Sequence, residues 1–202
     1  MHLSGRRTLL ILLLVLTSAA VFAKEKPPVL HRIPLPPRAD FSELDWLIGE
    51  WTGKTLEKSP QGEISLGVSF DLDKRVMILR EQVSLSATPT QPGSRESSMG
   101  ILSADRVRGF ILRVFSDTGF ITRYRVAVDG SVVSMSPEGG EQPPPGWLFR
   151  RSLKRVDIGV LVETVQVAPP GKPFFEYYSA KLTRTGPPAP LPPPAAAEPE
   201  TK

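Results

Sequence analysis

The stretch Gly119-Phe120-Ile121-Thr122-Arg123-Tyr124-Arg125-Val126-Ala127-Val128-Asp129-Gly130-Ser131-Val132-Val133-Ser134-Met135-Ser136 sets the period of the chain. Phe120, Tyr124, Val126 and Val128 share one parity, and Arg123 and Arg125 take the other. That alternation is the signature of a strand with one face buried. Asp129-Gly130 then predicts a tight hairpin, because both central residues of such a turn must accept positive φ. Working outward, the same period predicts strands near 50–57, 63–72, 75–86, 95–104, 109–116, 119–128, 131–136, 147–155, 158–167 and 174–184. Asp73-Lys74, Asp105-Arg106, Asp117-Thr118-Gly119 and Asp157 mark further turns between them. Ten strands joined by short turns leave no room for crossover helices, so the sheet is an antiparallel meander. A meander this long exposes two edges unless it curls closed. The expectation is an all-β fold, an antiparallel up-and-down β-barrel of about ten strands. One short helix precedes it, with apolar residues at 41, 44, 47 and 48; Ser42 or Asp40 can cap it and Gly49 can end it.

The ends of the chain differ from its middle. Of 22 prolines in 202 residues, five fall in 24–40 and seven in 187–202, so the folding part is close to 41–184. Residues 1–23 read as a signal peptide: Arg6 and Arg7, an apolar core from Thr8 to Leu16, and Val21-Phe22-Ala23 before a cleavage at Lys24. The uncharged run 8–23 is shorter than the roughly 20 residues that a helix needs to cross hydrocarbon. Residues 24–40 form a Pro-rich linker that is extended but unable to join a sheet. Residues 185–202 form a Pro- and Ala-rich tail, disordered or polyproline-like, without the basic residues that flank a specific PxxP ligand.

Composition removes whole classes of chemistry. With no Cys there are no disulfides, thiolate metal sites or cysteine nucleophiles. Both His lie before residue 32, which removes Ser-His-Asp triads and histidine metal sites from 41–184. After cleavage 23 basic residues face 21 acidic ones, a balance too weak to indicate nucleic acid as a partner. A signal peptide without Cys points to a periplasmic or secreted bacterial protein.

The run Leu44-Asp45-Trp46-Leu47-Ile48-Gly49-Glu50-Trp51-Thr52-Gly53 resembles the start of calycin barrels, in which a short helix leads into Gly-x-Trp on the first strand. With its second Trp it is most similar to a bacterial lipocalin-like family of unknown function, related in shape to nitrobindin. Phe70-Asp71-Leu72-Asp73 with Val76 to Glu81, Glu96 to Ile101, Ser116 to Gly119 and Leu182-Thr183-Arg184 resemble further parts of that layout. The resemblance covers 41–184 and implies the fold rather than an activity. It also implies that Arg184 lies across Trp51. Two departures stand out. Nitrobindin-like proteins hold haem through a barrel His that this chain lacks, and the Arg-x-Tyr clamp of fatty-acid-binding proteins is replaced by Phe174-Phe175-Glu176-Tyr177-Tyr178. No cofactor and no metal is implied.

Parity supplies the interior. Met77, Leu79, Glu81, Val83 and Leu85 share one face; so do Trp147, Phe149, Arg151 and Leu153, and Phe174, Glu176, Tyr178, Ala180 and Leu182. An apolar face with a few convergent polar groups is the usual make-up of a small-molecule site. The candidate contacts are Glu81, Tyr124, Trp147, Glu176 and Tyr178. A carboxylate on an apolar face needs a partner, and Arg151 or a ligand can supply it to Glu81 and Glu176. With no phosphate loop, metal-spaced cluster or activated Ser motif, no enzyme is expected. The first reading is therefore an exported, non-catalytic barrel binding a small apolar or amphipathic ligand. The alternative is a cell-envelope protein-interaction module whose barrel is packed solid and whose Pro-rich segments make contacts. A void in the lumen favours the first, and a filled lumen with apolar surface outside favours the second.

Overall fold

The computed structural model describes residues 36–89, 92–105 and 109–187. The expected signal peptide, the expected linker up to residue 35 and the expected tail from 188 onward lie outside them. A 3-10 helix, Ser42–Leu47, leads into ten strands: β1 (Gly49–Thr55), β2 (Gly62–Asp71), β3 (Val76–Leu85), β4 (Ser94–Asp105), β5 (Gly109–Ser116), β6 (Ile121–Asp129), β7 (Val132–Pro137), β8 (Leu148–Asp157), β9 (Val160–Ala168) and β10 (Phe175–Gly186). Each pairs antiparallel with its chain neighbour, and β1 pairs with β10 to close the barrel. All ten expected strands are present, with bounds shifted by no more than two residues. The expected helix is a single tight 3-10 stretch in which Leu44 and Leu47 are buried. Asp40 Oδ1 accepts a hydrogen bond from the Ser42 N–H at 2.9 Å, which holds the Asp40 carboxyl below its ordinary range.

The helix plugs one end of the barrel. Phe41 stacks on Phe110 at 5.3 Å between ring centroids and lies 5.9 Å from Phe70. Beneath it, Trp51, Leu66, Val68, Met77, Leu153, Leu161 and Leu182 are fully buried. Closure is close-fitting: a methyl group on Gly53 would run into the Lys181 carbonyl oxygen across the β1–β10 seam. The hairpin expected at Asp129-Gly130 is present, but Asp129 is the last residue of β6 and pairs with Val132, so the central residues are Gly130 and Ser131, of which Gly130 alone takes positive φ, at +56.

Three interior assignments are corrected. Phe120 lies in the turn before β6 and is exposed, because the strand begins one residue later. Trp147 likewise precedes β8 and is 42% exposed. Glu176 is exposed because β10 carries a register shift between Glu176 and Tyr178. A bulge inserts one residue and reverses the face that side chains point to, so the parity that places Tyr178, Ala180 and Leu182 inside does not extend to Glu176.

Candidate functional site

The polar groups inside the barrel converge on one guanidinium. Met135, Arg151, Val165 and Tyr178 lie in one cross-strand row of β7 to β10, and Leu153, Glu163 and Ala180 in the next. Glu81 approaches from β3 on the far wall. Arg151 Nη2 donates to Glu81 Oε1 at 2.5 Å and also to Glu163 Oε1. Glu163 has no exposed surface, and Glu81 is buried. Thus Arg151 is the partner of Glu81, while Glu176 lies outside. Glu163 is the interior carboxyl that sequence reasoning missed. Its signal was present: Leu161, Glu163, Val165 and Val167 share one parity of β9, a carboxyl among apolar residues like Glu81 in β3.

Burial pushes the Glu163 carboxyl up to about 8, with the nearby Glu81 adding to the effect and Arg151 opposing it. The Glu163 carboxyl is therefore held above its ordinary range even though it accepts from the Arg151 guanidinium. Burial disfavours the charge on Arg151, but the two carboxyl groups outweigh it and hold the guanidinium pKa well above its ordinary value. Burial raises the Tyr178 phenol well above its ordinary value, and Glu163 and Glu81 add to this. Tyr124 is raised by burial as well. A charge placed in such an interior is tolerated only when paired and hydrogen-bonded. Arg151 Nε and Glu163 Oε2 nevertheless find no hydrogen-bond partner.

Beside this cluster is a cavity of about 10 Å³, lined by Glu81, Ser98, Arg151, Leu66, Leu79 and Leu112. That volume holds one water and no more. Gly100 at its edge is already crowded, since a methyl there would meet Leu112 Cδ1 at 2.9 Å. Of the five expected ligand contacts, Glu81, Tyr124 and Tyr178 are buried in the barrel, whereas Trp147 and Glu176 are exposed at the end away from the helix.

At the helix end the structure builds a different feature. The Arg184 guanidinium lies 4.6 Å from the Trp51 ring centre, as the calycin resemblance implied. Trp51 Nε1 donates to the Leu47 carbonyl at 2.8 Å, and Arg184 Nη2 donates to the Trp46 carbonyl at 2.5 Å. Arg155 lies 5.3 Å from the Trp46 ring centre. Between these stacked pairs and the β8–β9 hairpin is an open groove of about 550 Å³, lined by Trp46, Trp51, Arg155, Val156, Ile158 and Arg184 among others. Ile158, at the hairpin tip, is 97% exposed. Among the described residues no group of three or more acidic or histidine side chains is placed to hold a metal ion, and no helix is long and apolar enough to cross a membrane.

No protein-family model matches the chain, and no curated protein matches it. Among solved structures the chain is similar to Rv2717c from M. tuberculosis, known from a crystal structure. The two share 18% identity with a TM-score of 0.52, over 74% of this chain and 99% of that one. At that identity the likeness bears on the fold, a closed ten-stranded antiparallel barrel, and on nothing finer.

Proposed function

We propose that this protein is an exported, non-catalytic barrel of calycin-like build that acts through its outer surface, as an interaction module of the cell envelope. The observation that carries this reading is the filled lumen. A drug-sized ligand needs roughly 300 Å³ or more, and the cavity beside Arg151 offers about 10 Å³. The polar side chains that would orient a ligand are instead spent on each other, in the Glu81–Arg151–Glu163 cluster. Burial also argues against acid–base catalysis, because the Glu163 carboxyl, poised near neutral pH, has no exposed surface to meet a substrate. Exposed apolar side chains lie outside, at Val156 and Ile158 near the helix and at Phe120, Trp147, Leu148 and Phe175 toward the other end. The calycin-like build is supported by the Trp51–Arg184 stack behind the opening helix, and export by the pattern of residues 1–23.

Native mass spectrometry of the protein isolated from its own host tests the reading. The expected mass is that of the chain from Lys24 with no bound small molecule. A stoichiometric apolar adduct that leaves on unfolding would restore the small-ligand reading.

A further inference from the structure

We infer that Met99 is a reversible oxidation site on the outer wall of the barrel, and that Arg80 beside it directs the incoming oxygen to one face of the sulfur. This goes beyond the surface-interaction reading and does not rest on it.

The chain's sulfur is confined to thioethers, since it has no Cys and four Met. Met1 lies outside the described residues. Met77 and Met135 belong to the core and are 0% and 3% exposed, so an oxidant reaches them only when the barrel opens. Met99 differs because of the alternation along β4. Leu102 is buried in the lumen, so Met99, of opposite parity, faces outward and is half-buried. It lines an open groove of about 710 Å³ over β1 to β5. Among the described lining residues, Met99 and Phe115 are the apolar side chains; the others are serines, Gly67 and charged or amide groups.

Strand register supplies the second part. Arg80 on β3 and Phe115 on β5 stand directly opposite Met99. Residues so paired have Cβ atoms about 4.5–5.5 Å apart. Arg80 Nη1 donates to Met99 Sδ at 3.4 Å. A thioether sulfur carries two lone pairs, and oxygen added to one or the other gives a different sulfoxide epimer. The guanidinium holds one lone pair, so oxygen adds at the other.

The step balances with hydrogen peroxide as oxidant. The free sulfur lone pair attacks one peroxide oxygen; an S–O bond forms and the O–O bond breaks. The departing hydroxide takes the proton from the transferred oxygen and leaves as water. Sulfur loses two electrons and peroxide gains them. A dithiol-dependent sulfoxide reductase reverses the change, removing the oxygen as water while two thiols become a disulfide. The oxidised side chain is polar where the reduced one is apolar. Phe115 is then the groove's remaining apolar side chain, so the character of this wall follows the supply of oxidant.

The test treats the folded full chain with hydrogen peroxide, followed by tryptic digestion and mass spectrometry. Cleavage after Lys and Arg puts Met77, Met99 and Met135 on separate peptides, 76–80, 96–106 and 126–150. The expected result is one added oxygen on 96–106. The other two should react roughly tenfold or more slowly, because their sulfurs are reached through opening of the fold, and all three should react alike in urea. Met77 or Met135 reacting as fast as Met99 in the folded chain, or Met99 as slow as they are, overturns the site. The epimers on 96–106 are then counted by repair with the two classes of sulfoxide reductase, each of which accepts one epimer. An excess of roughly threefold or more is expected, the factor that a weak hydrogen bond imposes. It should fall toward equality in Arg80→Leu, a change at an exposed position that should keep the parent's unfolding midpoint. Equal epimers in the parent, or an excess unchanged in Arg80→Leu, overturn the directing role of Arg80.

Discussion

Replacing Glu163 with Gln should change how stability depends on pH more than it changes stability itself. In the folded barrel the Glu163 carboxyl is pushed up to about 8 from an ordinary value of 4.5. Between those values the folded chain holds a proton that the unfolded chain has released. Stability contributed by this group is full below the ordinary value and is lost as pH rises through the folded one. With one proton of difference, the slope is about −1.4 kcal/mol per pH unit. The Gln side chain has the same size, stays neutral and still offers Arg151 an oxygen, so it removes the slope while keeping the contact. Titrating groups outside the Glu81–Arg151–Glu163 cluster are common to both proteins and cancel in the difference. Urea titrations of both at pH 5.5 and 7.5 are the assay. Glu163→Gln should gain on the parent by about 2–3 kcal/mol across those two pH units. A difference that stays constant within about 0.5 kcal/mol would show that the fold does not raise the Glu163 carboxyl, and the account of its burial beside Arg151 would fail.

Three further outcomes follow from the same packing. Trp51→Ala empties the space of a ring that is 1% exposed and should cost about 3–5 kcal/mol in denaturant titration; a loss under about 1 kcal/mol would contradict its role at the seam. Arg151→Met leaves two buried carboxyls without their cation and should cost about 3–5 kcal/mol, whereas Glu81→Leu, Arg151→Met and Glu163→Leu together should cost far less, as expected when a buried ion cluster is exchanged for apolar residues. Ala180→Phe places a ring where no surface is exposed, so it should lower the unfolding midpoint by overpacking; an unchanged midpoint would reveal lumen space that the structure does not contain.

The barrel was legible because its determinants are local. Alternation around Tyr124 and Val126, and turn residues such as Asp129-Gly130, fix strand and hairpin with no reference to the rest of the chain. The interior was legible only where that alternation runs unbroken. Glu81 and Tyr178 obey parity and lie inside. Glu176 obeys the same parity on paper, but the bulge before Tyr178 reverses it, and a bulge depends on pairing with β9 that no single strand encodes. Trp147 failed for a different reason, since it stands one residue outside its strand and strand ends are set by the partner. Glu163 was visible in β9 by the test that singled out Glu81, but its tie to Arg151 depends on register between β8 and β9. Whether the lumen is open could not be read at all, because it depends on the summed volume of side chains from ten strands.

The central claim is that the barrel is filled and works from outside. It is tested most directly by methyl NMR of the folded protein during titration with oleate, followed at Leu66, Leu79, Leu112 and Leu153 around the cavity. The account predicts that these interior signals stay in place up to millimolar oleate. Saturable shifts at all four, with a single dissociation constant and one ligand per barrel, would contradict it and make the lumen a binding site.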